Sequence, residues 1–177
     1  MKTLNNYITE RLHITKETNV YKYFPENIHQ LKRILQKRLS ENPNADLNDI
    51  DVSKIKNMDL LFEYLDPHNI DISKWDVSNV TSMEFMFADN YNFNSDLSNW
   101  DISKVENMNS MFYNCNKFDS DLSNWDISNV KNMDYMFGYC KNFTGKGLEK
   151  WNVSNDVEMN NMFSSCDSLQ NKPSWYK

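Results

Sequence analysis

Three aspartates recur at one register of this chain, Asp76, Asp101 and Asp126, and Asn152 takes the fourth place. Ser78, Ser103, Ser128 and Ser154 each follow by two residues, while Lys74, Asn99, Asn124 and Lys150 each precede by two. Carboxylates stacked about 5 Å apart repel one another unless donors or cations offset them. Such rows could receive a basic segment of a protein partner, or hold a cation weakly through oxygen ligands. They could equally be turn devices, each Asp accepting the amide and hydroxyl of the Ser two residues on. No calcium-type loop closed by a bidentate Glu is present, so no metal is expected.

The other reactive residue types point away from catalysis. Cys115, Cys140 and Cys166 are 25 and 26 residues apart, not about two to four as paired zinc ligands are, and they read as small buried residues. His13, His29 and His68 are scattered, and Gly138, Gly145 and Gly147 form no phosphate-cradling loop. The acidic residues repeat, whereas an active site needs one asymmetric constellation. The expectation is a chain with no catalytic residues and no cofactor.

The elements that position these rows follow from a repeat. Trp75, Trp100, Trp125 and Trp151 are spaced 25, 25 and 26 apart. Each unit reads L-x-x-W-D/N-V/I-S-x-V, then Met, Met-Phe, Asn or Cys, and Phe or Leu, as in Leu97, Trp100, Ile102, Val105, Met108, Met111-Phe112, Cys115 and Phe118. A degenerate copy begins at Ile50 and Asp51-Val52-Ser53, and Trp175 opens a truncated one. Trp and Val/Ile are two apart, a strand spacing, and the Met-Phe-Cys set falls at i, i+3, i+4 and i+7, a helix stripe. Asn57, Ser82, Asn107 and Asn132 stand where helix N-caps would. The expected fold is therefore an α/β repeat solenoid: a right-handed coil with a parallel strand face, short helices on the other face, and an N-terminal helical cap. The expected division is an arm over 1–18, a helical cap over 19–45, and about five 25-residue repeats plus a truncated sixth over 46–177.

Within the cap, Pro25 suits a first helical turn, Ile28, Leu31, Ile34, Leu35 and Leu39 share a face, and Asn42-Pro43-Asn44 ends the helix. The arm carries Tyr7-Ile8, Leu12 and Ile14 in a polar setting. It either packs on the cap or serves as a docking tag.

Charge is uneven. Residues 1–41 hold eight Lys/Arg and four Asp/Glu, and the rest hold eleven and twenty-one, giving −6 in all. The acidic body argues against nucleic-acid binding, which needs a basic face. No apolar stretch is long enough for a membrane span, and the first residues lack the apolar region of a secretion signal. The expected location is cytoplasmic or virion-associated, with the cell surface as the alternative.

The W-D-V/I-S-N-V-x-x-M-x-x-M-F units resemble the BspA-like branch of leucine-rich repeats, found in bacterial surface proteins, mycoplasma lipoproteins and some phage proteins. That resemblance covers about residues 45–177 and implies a leucine-rich-repeat solenoid with binding roles such as adhesion, no cofactor and no catalytic residues. The functional expectation is a non-enzymatic interaction module offering Asp76, Asp101, Asp126 and Asn152, with their Ser and Asn neighbours, to a protein partner. The alternatives are a structural or virion-associated protein docked through its arm, and a surface adhesin. Trp175, Tyr176 or the arm would carry any homo-oligomer contact.

Overall fold

The computed structural model describes residues 21–65 and 67–176; the expected arm over 1–18 lies outside them. Among the described residues one α-helix, α1, spans Ile28–Glu41. Its start is fixed by Asn27, whose side-chain oxygen accepts the Gln30 amide at 3.1 Å. Leu31, Leu35 and Leu39 recur along one face and are buried. They join a continuous core with Ala45, Leu47 and Ile50. Arg38 ties the helix to the next segment through both oxygens of Asp49, at 2.9 and 3.1 Å, and through the Asp46 carbonyl at 2.7 Å.

The expected α/β solenoid does not form. Among the described residues there is α1, one 3-10 turn at Leu148–Lys150, and no sheet. Parallel pairing is limited to isolated bridges, including Asn57 with Ser82, Ser82 with Asn107, Asn107 with Asn132 and Asn132 with Glu158. The strand face is missing because the Trp segment is spent on turns. The amide of Trp75 bonds the Ile72 carbonyl at 3.1 Å, and that of Val80 bonds Val77 at 2.9 Å. Two hydrogen-bonded turns this close leave no extended run for a ladder.

The Met-Phe segment is not helical either. Leu60, Phe85, Ser110, Tyr135 and Asn161 have φ between 52 and 55°, and Tyr64, Asp89, Asn114, Tyr139 and Ser165 have φ between 55 and 62°. An α-helix cannot pass through a left-handed residue every fourth position. Instead Met86 bonds back to Met83, Ala88 to Phe85 and Asn90 to Phe87, each amide reaching the carbonyl three residues earlier. The positive φ at the third residue of the first and last turns is the mark of type II geometry. The intervening amides point across to the following repeat: Met83 to Asn107, Phe85 to Asn109, Phe87 to Met111 and Asp89 to Tyr113, at 2.8–2.9 Å. Asn107 and Asn132, expected as helix caps, accept the amides of Asn109 and Asp134 two residues on.

Side chains 25 residues apart meet in the core. Phe62, Phe87, Phe112, Phe137 and Phe163 stack in sequence, their centroids 5.0, 5.6, 5.6 and 5.9 Å apart. The tryptophans are buried, and each indole N–H donates to a main-chain carbonyl of the preceding unit: Trp75 to Leu47, Trp100 to Ile72, Trp125 to Leu97, Trp151 to Leu122, all at 3.0 Å. Burying such a ring without a partner for its N–H would forfeit part of the gain. Trp175 and Tyr176 fold onto this column, Trp175 stacked on Trp151 at 5.9 Å and Tyr176 edge-on to Phe163 at 5.0 Å.

Candidate functional site

Turn geometry decides where polar groups reach water, and it makes two distinct surfaces. The first carries the Asp and Ser rows expected from sequence. Asp76, Asp101, Asp126 and Asn152 are exposed, as are Asn99, Asn124, Ser128 and Ser154, with Ser78 and Ser103 half-buried. Asp76 accepts the Ser78 amide at 3.1 Å and the Ser78 hydroxyl at 2.6 Å. Asp101 accepts the Ser103 amide at 3.1 Å, and Asp126 the Ser128 amide at 3.0 Å. Ser154 turns to Asp156 instead. The same clasp recurs five residues earlier in each unit, where Asp71, Asp96 and Asp121 accept from Ser73, Ser98 and Ser123. These carboxylates hold turns closed. Hydrogen bonds from Ser103 keep the Asp101 carboxyl below the ordinary aspartate value. Ser98, Asn99, Trp100, Asp101 and Asn124 line a shallow depression of about 360 Å³.

The second surface was not expected. Most of the left-handed residues that break the helix also turn their side chains outward, so Leu60, Tyr64, Tyr135 and Tyr139 are exposed and Phe85 half-buried, while Ser110 stays buried. Tyr113 lies among them with its ring 6.3 Å from Tyr135 and 5.3 Å from Tyr139, inclined at 71° and 70°. Gly138 permits this corner, since a Cβ there would already press on the Tyr113 ring at 3.1 Å. Phe85, Ser110, Tyr113, Tyr135 and Tyr139 line a depression of about 390 Å³. A neighbouring one of about 430 Å³, lined by Asp59, Leu60, Glu63, Glu84 and Phe85, shares Phe85 with it.

This turn face is acidic. The segments 58–65, 83–90, 108–115, 133–140 and 159–166 contain Asp59, Glu63, Glu84, Asp89 and Asp134 and not one Lys, Arg or His. Burial raises the pKa of the Tyr113 hydroxyl, and Tyr139, Asp89 and Tyr135 add to the rise. The sequence did hold a signal: in three of the five units the two residues after the first Met are Asp59-Leu60, Glu84-Phe85 and Asp134-Tyr135, an acid beside an apolar or aromatic residue. A helical reading spreads these around a cylinder, and only the turns gather them.

The cysteines form a third column, inside the core. Cys115, Cys140 and Cys166 each donate their thiol to a carbonyl of the preceding unit, Phe87, Phe112 and Phe137, at 2.8–2.9 Å. Burial pushes all three thiols up, Cys166 to about 12. No group of His, Cys, Asp and Glu among the described residues is placed to hold a metal ion. His13 lies outside the described residues, while His29 is exposed and His68 half-buried. Among the described residues no helix is long and apolar enough to cross a membrane.

A family model described as a Mycoplasma protein of unknown function, DUF285, matches residues 29–147 and again residues 124–176. No curated protein and no solved structure matches the chain.

Proposed function

We propose that this chain, a member of the DUF285 family, is a binding module that grips a protein partner on its aromatic turn face. One observation carries the proposal: the adjoining depressions built on Phe85, Tyr113, Tyr135 and Tyr139 put large aromatic groups at the surface. Tyr and Phe in a concave, half-desolvated patch are the residue types that anchor protein interfaces. Kinship with BspA-like repeat proteins is part of the same proposal. It rests on the W-D-V/I-S and M-x-x-M-F spelling of the units and supports a role in adhesion or capture.

A second reading keeps the partner on the Asp76, Asp101 and Asp126 row, supported by its exposure and by the depression beside Asn99 and Asn124. Its weakness is that those carboxylates are already engaged by their own serines. A photo-crosslinking residue in place of Tyr139, and separately in place of Asn99, distinguishes the two. Crosslinks to a defined partner from position 139 support the aromatic face, and crosslinks from 99 alone transfer the site to the Asp row. Silence from both sinks the binding-module reading. Docking through the arm is tested by deleting residues 1–18, which would abolish assembly and leave the fold intact.

A further inference from the structure

We infer that the partner docks on the turn face with a basic segment, an extended stretch of about five residues bearing lysine or arginine. The inference rests on the turn face being the binding face and adds the chemistry of its occupant.

Several carboxylates outside this face pair with cations, while those of the Asp76, Asp101 and Asp126 row are clasped by their own serines. Glu106 pairs with Lys131 at 2.6 Å, Asp119 with Lys146 at 2.6 Å, Glu26 with Lys54 at 2.7 Å, and Asp49 with Arg38 at 2.9 Å. On the turn face the acids have neutral donors only. Asp59 accepts from Asn57, Ser82 and the Glu84 amide, Glu84 from Asn107, Asp89 from Asn114, and Asp134 from Asn160. Those bonds orient the carboxylates and leave their charge in place. Among the described residues no cation pairs with any of them.

The aromatic groups add a second preference of the same sign. Tyr135 and Tyr139 stand at about 70° to Tyr113, making a corner and not a closed stack. Ring faces in such a corner attract cations, guanidinium best of all, and the aliphatic stems of Lys and Arg pack on what the charge does not touch. An acidic or phosphorylated partner would meet like charge here.

Size follows from the repeat. From Phe62 to Phe137 the ring column advances in steps of 5.0, 5.6 and 5.6 Å, so the acids from Asp59 to Asp134 cover roughly 16 Å. An extended chain rises about 3.3 Å per residue and sends alternate side chains to one side. About five residues therefore cross the face, offering two or three side chains to the four repeats it spans.

The test uses fluorescein-labelled hexa-arginine and hexa-glutamate peptides with the full chain, read by fluorescence polarisation. One triple variant, Glu63→Gln with Glu84→Gln and Asp89→Asn, removes three charges from the turn face. A charge-matched control, Asp76→Asn with Asp101→Asn and Asp126→Asn, removes three from the other surface. All six residues are exposed or half-exposed, and wild-type tryptophan emission confirms that each variant is folded. The expected result is binding of hexa-arginine over hexa-glutamate, weakened about ten-fold by the turn-face variant and less than about two-fold by the control. Equal weakening by both variants, or no preference for hexa-arginine, overturns the inference. If crosslinks from position 139 persist in that case, only the basic occupant is lost. If they are absent too, the face itself is wrong.

Discussion

The indole N–H of Trp100 donates to the main-chain carbonyl of Ile72, 3.0 Å away and 28 residues earlier. That bond ties a buried side chain of one unit to the backbone of the unit before it, while the Trp100 ring lies parallel to Trp75 at 6.5 Å. Trp100→Phe keeps an aromatic ring but removes this bond between units, leaving the Ile72 carbonyl with the Trp75 amide alone and a void where the larger ring was. It should cost about 2–3 kcal/mol. Urea denaturation checks this, and a loss below about 0.5 kcal/mol would show that the indole bond contributes nothing.

Tyr64 is 95% exposed and has φ of 59°. It packs on little, so its backbone conformation dominates its contribution. A Cβ in the left-handed region costs about 1–2 kcal/mol, and glycine there returns part of that as backbone entropy in the unfolded chain. Tyr64→Gly should therefore stabilise by about 0.5–1 kcal/mol, and Tyr64→Val, β-branched, should destabilise by about the same or more. A thermal melt in which both variants shift the same way would contradict the turn geometry.

The repeat was legible in the sequence because inward residues are fixed by register: Trp75 to Trp151, Ile72 to Leu148 and the Phe column recur every 25 or 26 residues and are buried. What the repeat builds was not. Met83, Met86, Phe87 and Asn90 at i, i+3, i+4 and i+7 spell a helix stripe, yet a run of turns closing on the third residue buries the same positions. The distinguishing clue was weak. Asp89, Asn114 and Asn161 tolerate the left-handed region, but Phe85 and Tyr135 do not advertise it. The strand reading failed similarly, since Asp and Ser two apart alternate as strand residues do and also close a turn. The Asp and Ser rows were thus placed at the surface by sequence alone. The aromatic face depends on φ at Tyr135 and Tyr139 and was hidden.

Asp119 predicts acid sensitivity. Burial alone would raise its carboxyl, but bonds from Lys146 and from the hydroxyl and amide of Thr144, with the Lys146 charge, hold it below the ordinary value. These contacts reach 25 and 27 residues along, at 2.6–2.9 Å. A carboxyl depressed on folding adds stability that is complete above the unfolded pKa of about 3.9 and is lost as pH falls through the folded value. Wild type should therefore lose urea resistance from about pH 4 downward. Asp119→Asn should start about 1 kcal/mol less stable at pH 6.5 and fall less on acidification. Parallel losses in the two proteins would remove Asp119 from the account.

The thiols should behave as core groups and not as redox centres. A thiol must ionise to attack or be oxidised readily, and burial pushes Cys115 and Cys140 far up, with Cys166, which is only partly buried, raised to about 12. Each also donates its S–H to a carbonyl of the preceding unit, which adds a second donor to an oxygen already bonded by a backbone amide. With an aromatic disulfide reagent at pH 8, Cys166 should react first and slowly. Cys115 and Cys140 should react only as fast as the chain unfolds, so their labelling rate should climb with urea while that of Cys166 changes little. Cys115→Val should cost about 0.5–1.5 kcal/mol, because the S–H bond to the Phe87 carbonyl is lost while the Asn90 amide still holds that oxygen. Rapid native labelling of Cys115 would mean that the column is open to water, and the stacking of Phe87 on Phe112 beside it could not then be as tight as 5.6 Å.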